Sequence, residues 1–287
     1  MNAQTHRVTT TDGVQLYACA EGNPDGPALV MVHGYPDSHR IWDRMVAALR
    51  DAFWIVRYDV RGAGQSGVPR GLWAYRLDQL AQDLASVTQA VLGDQPFHLL
   101  AHDWGSIQSW ESVATPRLQG KILSYTTISG PSLDHVGMQM REQLRGDRSA
   151  LLAQLKKSWY ISFFQLPMPN ALKWRVLRGP GWAQRLQQLE PAAASHQDPD
   201  QDKNGTHGIQ LYRMNFLPRL LQPEPRHAHC RVHAIVLEKD AFVGPALLDI
   251  LPQWVSDLKV TRRPWQHWAI WSHAEEVAAL VRADLLR

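Results

Sequence analysis

Three ionisable residues stand close behind apolar runs. They are Asp103 after Phe97-His98-Leu99-Leu100-Ala101-His102, Asp240 in Leu237-Glu238-Lys239-Asp240, and His267 in Trp265-Gln266-His267-Trp268. Asp103 is the most informative. The run before it reads as a strand and the run after it as a helix. The small residues Ala101 and Gly105 flank it symmetrically, the spacing by which a tight turn passes close to its neighbours. A carboxylate at the tip of such a turn is already ionised at neutral pH, with a reference pKa of about 3.9, so it needs no base to act as a nucleophile. Attack by a serine on saturated carbon would leave an ether that water cannot cleave, whereas attack by an aspartate leaves an ester with a carbonyl open to water. The pattern points to substitution at saturated carbon. Asp103 also fits a second role, as N-cap of the following helix, and the local residues leave both readings open.

The elements that must position these residues alternate between strand and helix. Arg7 to Thr10 and Val14 to Ala20 flank Asp12-Gly13, a hairpin signal. Ala28 to Val32 and Phe53 to Val56 are apolar runs of the kind found in strands buried on both faces, with helical spacing from Ile41 to Leu49 between them. Leu77 to Leu92 is amphipathic and leads through Gly93 into the strand before Asp103. Lys121 to Ser129 reads as a further strand. Alternation then stops at Gly130-Pro131, and residues 131–226 hold helical patterns, prolines and no convincing strand, which predicts an inserted helical lid. It resumes with a strand at Arg231 to Leu237, a helix at Pro245 to Leu258, a strand at Lys259 to Arg263 and a helix at His273 to Leu286. Such alternation predicts an α/β fold, a mostly parallel sheet with helices on both faces, formed by residues 1–130 and 227–287.

Composition narrows the function classes. The 287 residues suffice for one large core with an insertion, and a net charge of +3 with scattered Lys and Arg argues against a nucleic-acid partner. Two cysteines, Cys19 and Cys230, make no disulfide framework. The polar start and the lack of a run near the roughly 20 apolar residues of a membrane span predict a cytoplasmic protein with no span. Twelve tryptophans are enough to line a pocket as well as fill a core. The glycines around Gly62-Ala63-Gly64 lack the Gly-x-Gly-x-x-Gly spacing of a dinucleotide fingerprint and read as a structural turn. His227, His229, Cys230 and His233 look superficially like metal ligands, but strand alternation alone puts the three histidines on one face and no carboxylate joins them, so no metal is expected.

In chain order the three candidates run nucleophile, acid, histidine, the order of the α/β-hydrolase fold. Over nearly its whole length the chain resembles that family, and more closely the epoxide hydrolases. His33-Gly34-Tyr35-Pro36 matches the oxyanion loop, His102-Asp103-Trp104-Gly105 the nucleophile motif, Glu238-Lys239-Asp240 the acid segment and His267-Trp268 the histidine. In the lid, Trp159-Tyr160 with Phe163-Phe164-Gln165 and Leu211-Tyr212-Arg213-Met214-Asn215 match the two tyrosine motifs. The resemblance implies hydrolysis of a small apolar epoxide by water without a cofactor, in a monomer or homodimer. Asp103 would be alkylated, Tyr160 and Tyr212 would protonate the leaving oxygen, and His267 oriented by Asp240 would activate water. The backbone N–H groups of Tyr35 and Trp104 would hold the oxyanion, supported by His33, Gly34 and Pro36.

One departure and several rivals accompany this reading. Gln266 stands where the family usually has glycine. His273 is a rival base and Asp134 a rival acid, each less well placed, His273 at a helix start and Asp134 at the lid entry. A haloalkane dehalogenase would use the same nucleophile but needs a second N–H donor for halide, from Trp159, Trp174 or Trp182 beside Trp104. A non-catalytic ligand-binding protein on the same fold is the third reading.

Overall fold

A computed structural model of the chain describes residues 3–145, 152, 154 and 156–286. Part of the expected lid (146–151, 153 and 155) and the terminal Arg287 lie outside these. Eight strands form one sheet: β1 (Gln4–Thr9), β2 (Gln15–Gly22), β3 (Ala28–Val32), β4 (Trp54–Tyr58), β5 (Phe97–His102), β6 (Ile122–Ile128), β7 (Arg231–Leu237) and β8 (Leu258–Arg263). Their order across the sheet is β1-β2-β4-β3-β5-β6-β7-β8. The hairpin β1-β2 and the β2-β4 pair are antiparallel, and every other pairing is parallel.

The apolar runs of β3 and β5 follow from burial on both faces. Leu29 and Met31 join Leu100 on one side of the sheet, while Val30 and Val32 join Leu99 and Ala101 on the other. Side chains alternate across a strand, so a strand covered twice has no polar phase. Helices α1 (Asp43–Leu49), α2 (Leu77–Leu92) and α3 (Trp104–Val113) supply cover within the first part of the core. Between β6 and β7 the described residues contribute only helical elements, chiefly α4 (Leu133–Arg145), α5 (Trp159–Gln165), α6 (Asn170–Arg178), α7 (Trp182–Leu189) and α8 (Gln201–Leu221). The chain closes with α9 (Ala269–Ser272) and α10 (Ala274–Leu285). Among the described residues no helix is long and apolar enough to cross a membrane.

The region expected as a helix from Pro245 to Leu258 is instead two short 3-10 turns, Pro245–Leu248 and Leu251–Gln253. Pro252 explains this. It lacks an N–H, and its ring would clash with the carbonyl four residues earlier in a continuous helix. The expected helix at Ile41 likewise begins as a 3-10 turn, His39–Trp42, before α1.

The functional consequence lies at one edge of the sheet. Strands β3, β5, β6, β7 and β8 are consecutive neighbours and parallel, so the loops after them open on one side. Helix α3 must cross β3 tightly to leave β5 there. A Cβ added at Gly105 would lie 2.1 Å from the Val32 backbone oxygen, with no flexible side chain to yield. Gly105→Ala is therefore expected to lower unfolding stability by about 1–3 kcal/mol, read as a shifted denaturation midpoint. Gly181→Ala, with nothing within 4 Å, should stay within about 0.5 kcal/mol of the parent. Equal midpoints for the two variants would contradict the tight crossing.

Candidate active site

Asp103 sits between β5 and α3 with φ 50° and ψ −123°, in the half of backbone space that L-residues rarely adopt. The turn projects the carboxylate back over the strand ends, where only 7% of the residue stays exposed. It makes no side-chain capping bond to α3, so the cap reading does not hold. Asp103 Oδ1 instead accepts the backbone N–H of Tyr35 at 2.7 Å, and the N–H of Trp104 also donates to the carboxylate. Gly34 is what allows this approach, because a Cβ there would meet Asp103 Oδ1 at 2.4 Å. The loop holding Tyr35 is fixed from behind. His33 Nε2 accepts Val60 N–H at 2.9 Å, so its Nδ1 carries the proton and donates to Gly34 O at 2.9 Å. The Pro36 carbonyl accepts from Gln201 of α8 at 2.6 Å.

The second carboxylate and the histidine arrive from β7 and β8. His267 Nδ1 lies 2.9 Å from Asp240 Oδ2, and its Nε2 lies 3.7 Å from Asp103 Oδ2. Asp240 is ionised and acceptor-only, so Nδ1–H donates to it and Nε2 faces Asp103. Burial would raise the pKa of Asp240, but the His267 charge and hydrogen bonds from His267, Ser129 and Val243 hold it below the usual carboxylate range. Burial would lower that of His267, but Asp240, Asp103 and Glu190 raise it to about 9. For Asp103 burial wins. It lifts the carboxyl to about 6 against the pull of His267 and of the two backbone N–H groups. At neutral pH the resting pair is thus imidazolium and carboxylate.

Tyr160 of α5 and Tyr212 of α8 come from different helices, with ring centroids 5.8 Å apart. Tyr212 packs edge-on against Trp104 at 4.8 Å. Burial, with the Asp103 charge nearby, pushes both phenols above the ordinary tyrosine value, so both are protonated. Two cavities meet here, one of about 220 Å³ and one of about 520 Å³. Asp103, Tyr160, Tyr212 and Phe242 line both, and His267 lines the smaller.

A carboxylate on a strand-to-helix elbow, backed by a second carboxylate and a histidine from later strands, matches the layout of one fold family, and a direct comparison agrees. The profile described as the alpha/beta hydrolase fold matches residues 27–274. The chain belongs to this family. Within it, the Mycobacterium tuberculosis protein named "Probable oxidoreductase EphD" is 33% identical over 97% of this α/β-hydrolase and 49% of its own length. "Epoxide hydrolase B" of the same organism is 35% identical over 56% of this chain and 47% of its own. The chain spans about half the length of the curated relatives it matches. Among solved structures, a Bacillus megaterium epoxide hydrolase in complex with an inhibitor superposes with TM-score 0.78 at 21% identity, covering 99% of this chain and 100% of that one. A Vigna radiata epoxide hydrolase gives 0.74 at 18% identity, over 99% and 98%. These two likenesses speak to fold.

The rivals fall away from this α/β-hydrolase site. Asp134 is bound to Arg219, Arg226 and the Glu224 N–H. His273 stacks on Trp265 at the surface beside Glu276. His229 and His233 face different partners, the Ser112 carbonyl and the Thr261 hydroxyl. Several supporting residues escaped the sequence reading. Ser129 donates to Asp240 Oδ2 at 2.6 Å, and the N–H groups of Phe242 and Val243 bind Oδ1 at 2.7 and 3.0 Å. His102 Nε2 donates to the His267 carbonyl at 2.8 Å, and burial with the His267 charge lowers its own pKa to about 3, which keeps it neutral.

The histidine loop is also tied to the insertion. Gln266, the departure from the family pattern, donates from Nε2 to the Leu189 carbonyl at 3.1 Å. Buried Glu190 accepts Trp268 N–H and Ser272 Oγ–H, both at 2.7 Å. No sequence signal joins these segments.

One titration follows from the charge pair. The Asp103 carboxyl should titrate near 6, as seen by carboxyl-carbon NMR. In His267→Gln the lowering charge is gone while burial persists, so the midpoint should move further up. An unchanged midpoint would mean that the imidazole carries no charge opposite Asp103.

Proposed function

We propose that this chain opens an epoxide to a vicinal diol through an alkyl ester on Asp103. The observation that carries this is the shared cavity wall. A carboxylate nucleophile and two protonated phenols face the same space, with an imidazole behind the carboxylate. Asp103 Oδ1 accepts the Tyr35 backbone N–H, which leaves Oδ2 to attack an epoxide carbon. The C–O bond breaks, and the departing oxygen takes a proton from the Tyr160–Tyr212 pair. An alkoxide has a conjugate acid near the pKa of water, about 15.7, so even a phenol made less acidic by burial remains a competent donor to it.

Esterification then changes the electrostatics. Asp103 loses its charge, and with it goes one of the attractions holding the proton on His267. The imidazolium gives up its proton, which by way of solvent restores the phenol that protonated the leaving oxygen, and the neutral Nε2 then accepts a proton from water as that water attacks the ester carbonyl. Oδ1 becomes the oxyanion between the N–H groups of Tyr35 and Trp104. Collapse breaks the ester C–O bond, the departing diol oxygen takes the proton of the new acid on Asp103, and Asp240 stabilises the imidazolium that again faces the carboxylate. No step requires a cofactor. The name of the mycobacterial oxidoreductase describes a protein of which 49% is matched, and no hydride moves in this scheme.

The halide alternative lacks a second donor in the right place. Trp174 gives its indole N–H to Asp202 at 2.7 Å, and Trp159 is 55% exposed. Of the two cavities, Trp104 borders only the larger and Trp182 only the smaller, so their N–H groups do not converge on one ion. A purely ligand-binding protein has no use for the Asp240–His267–Asp103 alignment.

The deciding experiment is His267→Gln mixed with a panel of epoxides. Intact-protein mass should rise by one substrate mass, mapped to the peptide containing Asp103, and the adduct should persist. Normal turnover without an adduct would remove His267 from the reaction. The phenols are tested separately. Tyr160→Phe combined with Tyr212→Phe should lower the rate of epoxide opening by about 10²–10⁴, the usual worth of general-acid help. Opening at the parent rate by that double variant would defeat the assigned acid pair.

A further inference from the structure

Resting on that reading, we infer that Glu190 is a positioning residue for His267: it holds the histidine loop through two hydrogen bonds and keeps a fixed negative charge behind the imidazole while Asp103 is esterified. Glu190 lies just past the end of α7 and is only 2% exposed. Its Oε2 accepts Trp268 N–H and its Oε1 accepts Ser272 Oγ–H, both at 2.7 Å. One carboxylate therefore clamps both ends of α9, directly after the histidine. Both donors are neutral, and among the described residues no cation pairs with this carboxylate. Local structure does not call for a charge here. The end of a helix such as α7 favours cations, and the Glu190 side chain makes no capping bond to the 3-10 turn that follows at Pro191–Ala193. A neutral acceptor would serve the Trp268 N–H as well, so what the carboxylate adds is its charge.

The groups around His267 show what that charge can act on. Asp240 bonds Nδ1 directly, and Asp103 stands 3.7 Å from Nε2. The His102 ring, 4.7 Å away, is neutral, and the Phe242 ring at 4.9 Å carries no charge. Beyond Trp268, Asp37 Oδ2 accepts the indole N–H at 3.1 Å while Oδ1 faces His196 at 3.5 Å. Lys157 donates to the Asp240 backbone carbonyl at 2.9 Å. Asp240, Asp103 and Glu190 all raise the proton affinity of the imidazole. In the proposed reaction the Asp103 charge disappears when the ester forms, and Asp240 and Glu190 remain. Two effects of opposite use follow. Glu190 holds the resting proton more firmly, so ester hydrolysis begins at higher pH. It also makes the neutral Nε2 a stronger base and stabilises the imidazolium that forms as water attacks.

Glu190→Gln tests the charge alone. The new amide oxygen can take Trp268 N–H, and its NH2 can donate to Ser272 Oγ, whose own proton has the Trp268 carbonyl at 3.2 Å as a second acceptor. By imidazole NMR the His267 midpoint, about 9 in the parent, should fall by about half a unit to one unit. In single-turnover kinetics, with whichever epoxide of the panel the parent opens fastest, the pH midpoint of ester hydrolysis should fall in the same direction. The plateau rate of that step should drop about threefold, while ester formation at neutral pH stays near the parent rate. Glu276→Gln, which removes an exposed carboxylate from α10, serves as control and should keep the parent midpoints. Glu190→Asp and Glu190→Asn strain the two bonds alike and differ in charge, so they repeat the comparison if the first variant does not fold. Glu190→Asp should then titrate higher than Glu190→Asn. A His267 midpoint unmoved in Glu190→Gln, or equal in the shorter pair, would overturn the proposal. A shifted NMR midpoint beside an unshifted hydrolysis profile would overturn it as well, by leaving Glu190 a purely structural part. The NMR titration involves no epoxide; if the parent opens none, the hydrolase reading fails by itself and the role of Glu190 in hydrolysis falls with it.

Discussion

A carboxylate withdrawn from water yet kept ionised is the constraint on which the rest depends. Burial raises the proton affinity of Asp103, and only the His267 charge and two backbone N–H groups oppose it. Each opposing group has its own structural requirement. The Tyr35 N–H needs Gly34 and the anchored His33 behind it, and the Trp104 N–H needs the positive-φ turn that starts α3. His267 needs Asp240, which in turn needs Ser129 and two loop N–H groups. These groups follow five strands that are neighbours in the sheet, so sheet order converts distant sequence into one electrostatic arrangement. A turn of β6 or β7 out of register would separate Asp240 from its donors and change the charge balance at Asp103.

The phenols answer a different need. Tyr160 and Tyr212 are delivered by two helices outside the sheet, and aromatic contacts from Tyr35, Phe164 and Phe216 confine the Tyr212 ring. Tyr35 and Phe164 meet that ring edge-on and Phe216 stacks on it, which fixes its orientation with few rotatable bonds. The hydroxyls of Tyr160 and Tyr212 stay protonated because the surroundings are dry and Asp103 is negative. In the proposed reaction, the charge that keeps the proton in place at rest is the one consumed when the carboxylate becomes an ester.

Much of this was legible in the chain because its signals are local. The elbow is a run of ten residues, and the apolar runs of β3 and β5 carry their burial on both faces in their composition. The same holds for the His33-Gly34 loop and the two tyrosine motifs. What stayed hidden depends on encounters between distant segments. Ser129 and Asp240 are 111 residues apart, and Glu190 and Trp268 are 78 apart, with nothing in either neighbourhood to announce the pairing. Helical spacing between Pro245 and Leu258 misled because periodicity outweighed the veto of Pro252, which one backbone N–H decides. The glutamine at 266 read as an anomaly for a similar reason, since its partner is a carbonyl 77 residues earlier.

That glutamine, with Glu190, has a consequence for how the insertion and the core can diverge. Three hydrogen bonds cross from Leu189 and Glu190 to Gln266, Trp268 and Ser272, the segment that carries the histidine. The residues between β6 and β7 are thus joined to the core at more than their two ends; Leu189 and Glu190 form part of the bed on which His267 lies. Exchange of this region between relatives has a natural cut before Leu189. A graft ending earlier keeps the native carboxylate and carbonyl with their donors, while one ending later must bring matching acceptors. The last turn before 190 must change in step with the histidine loop.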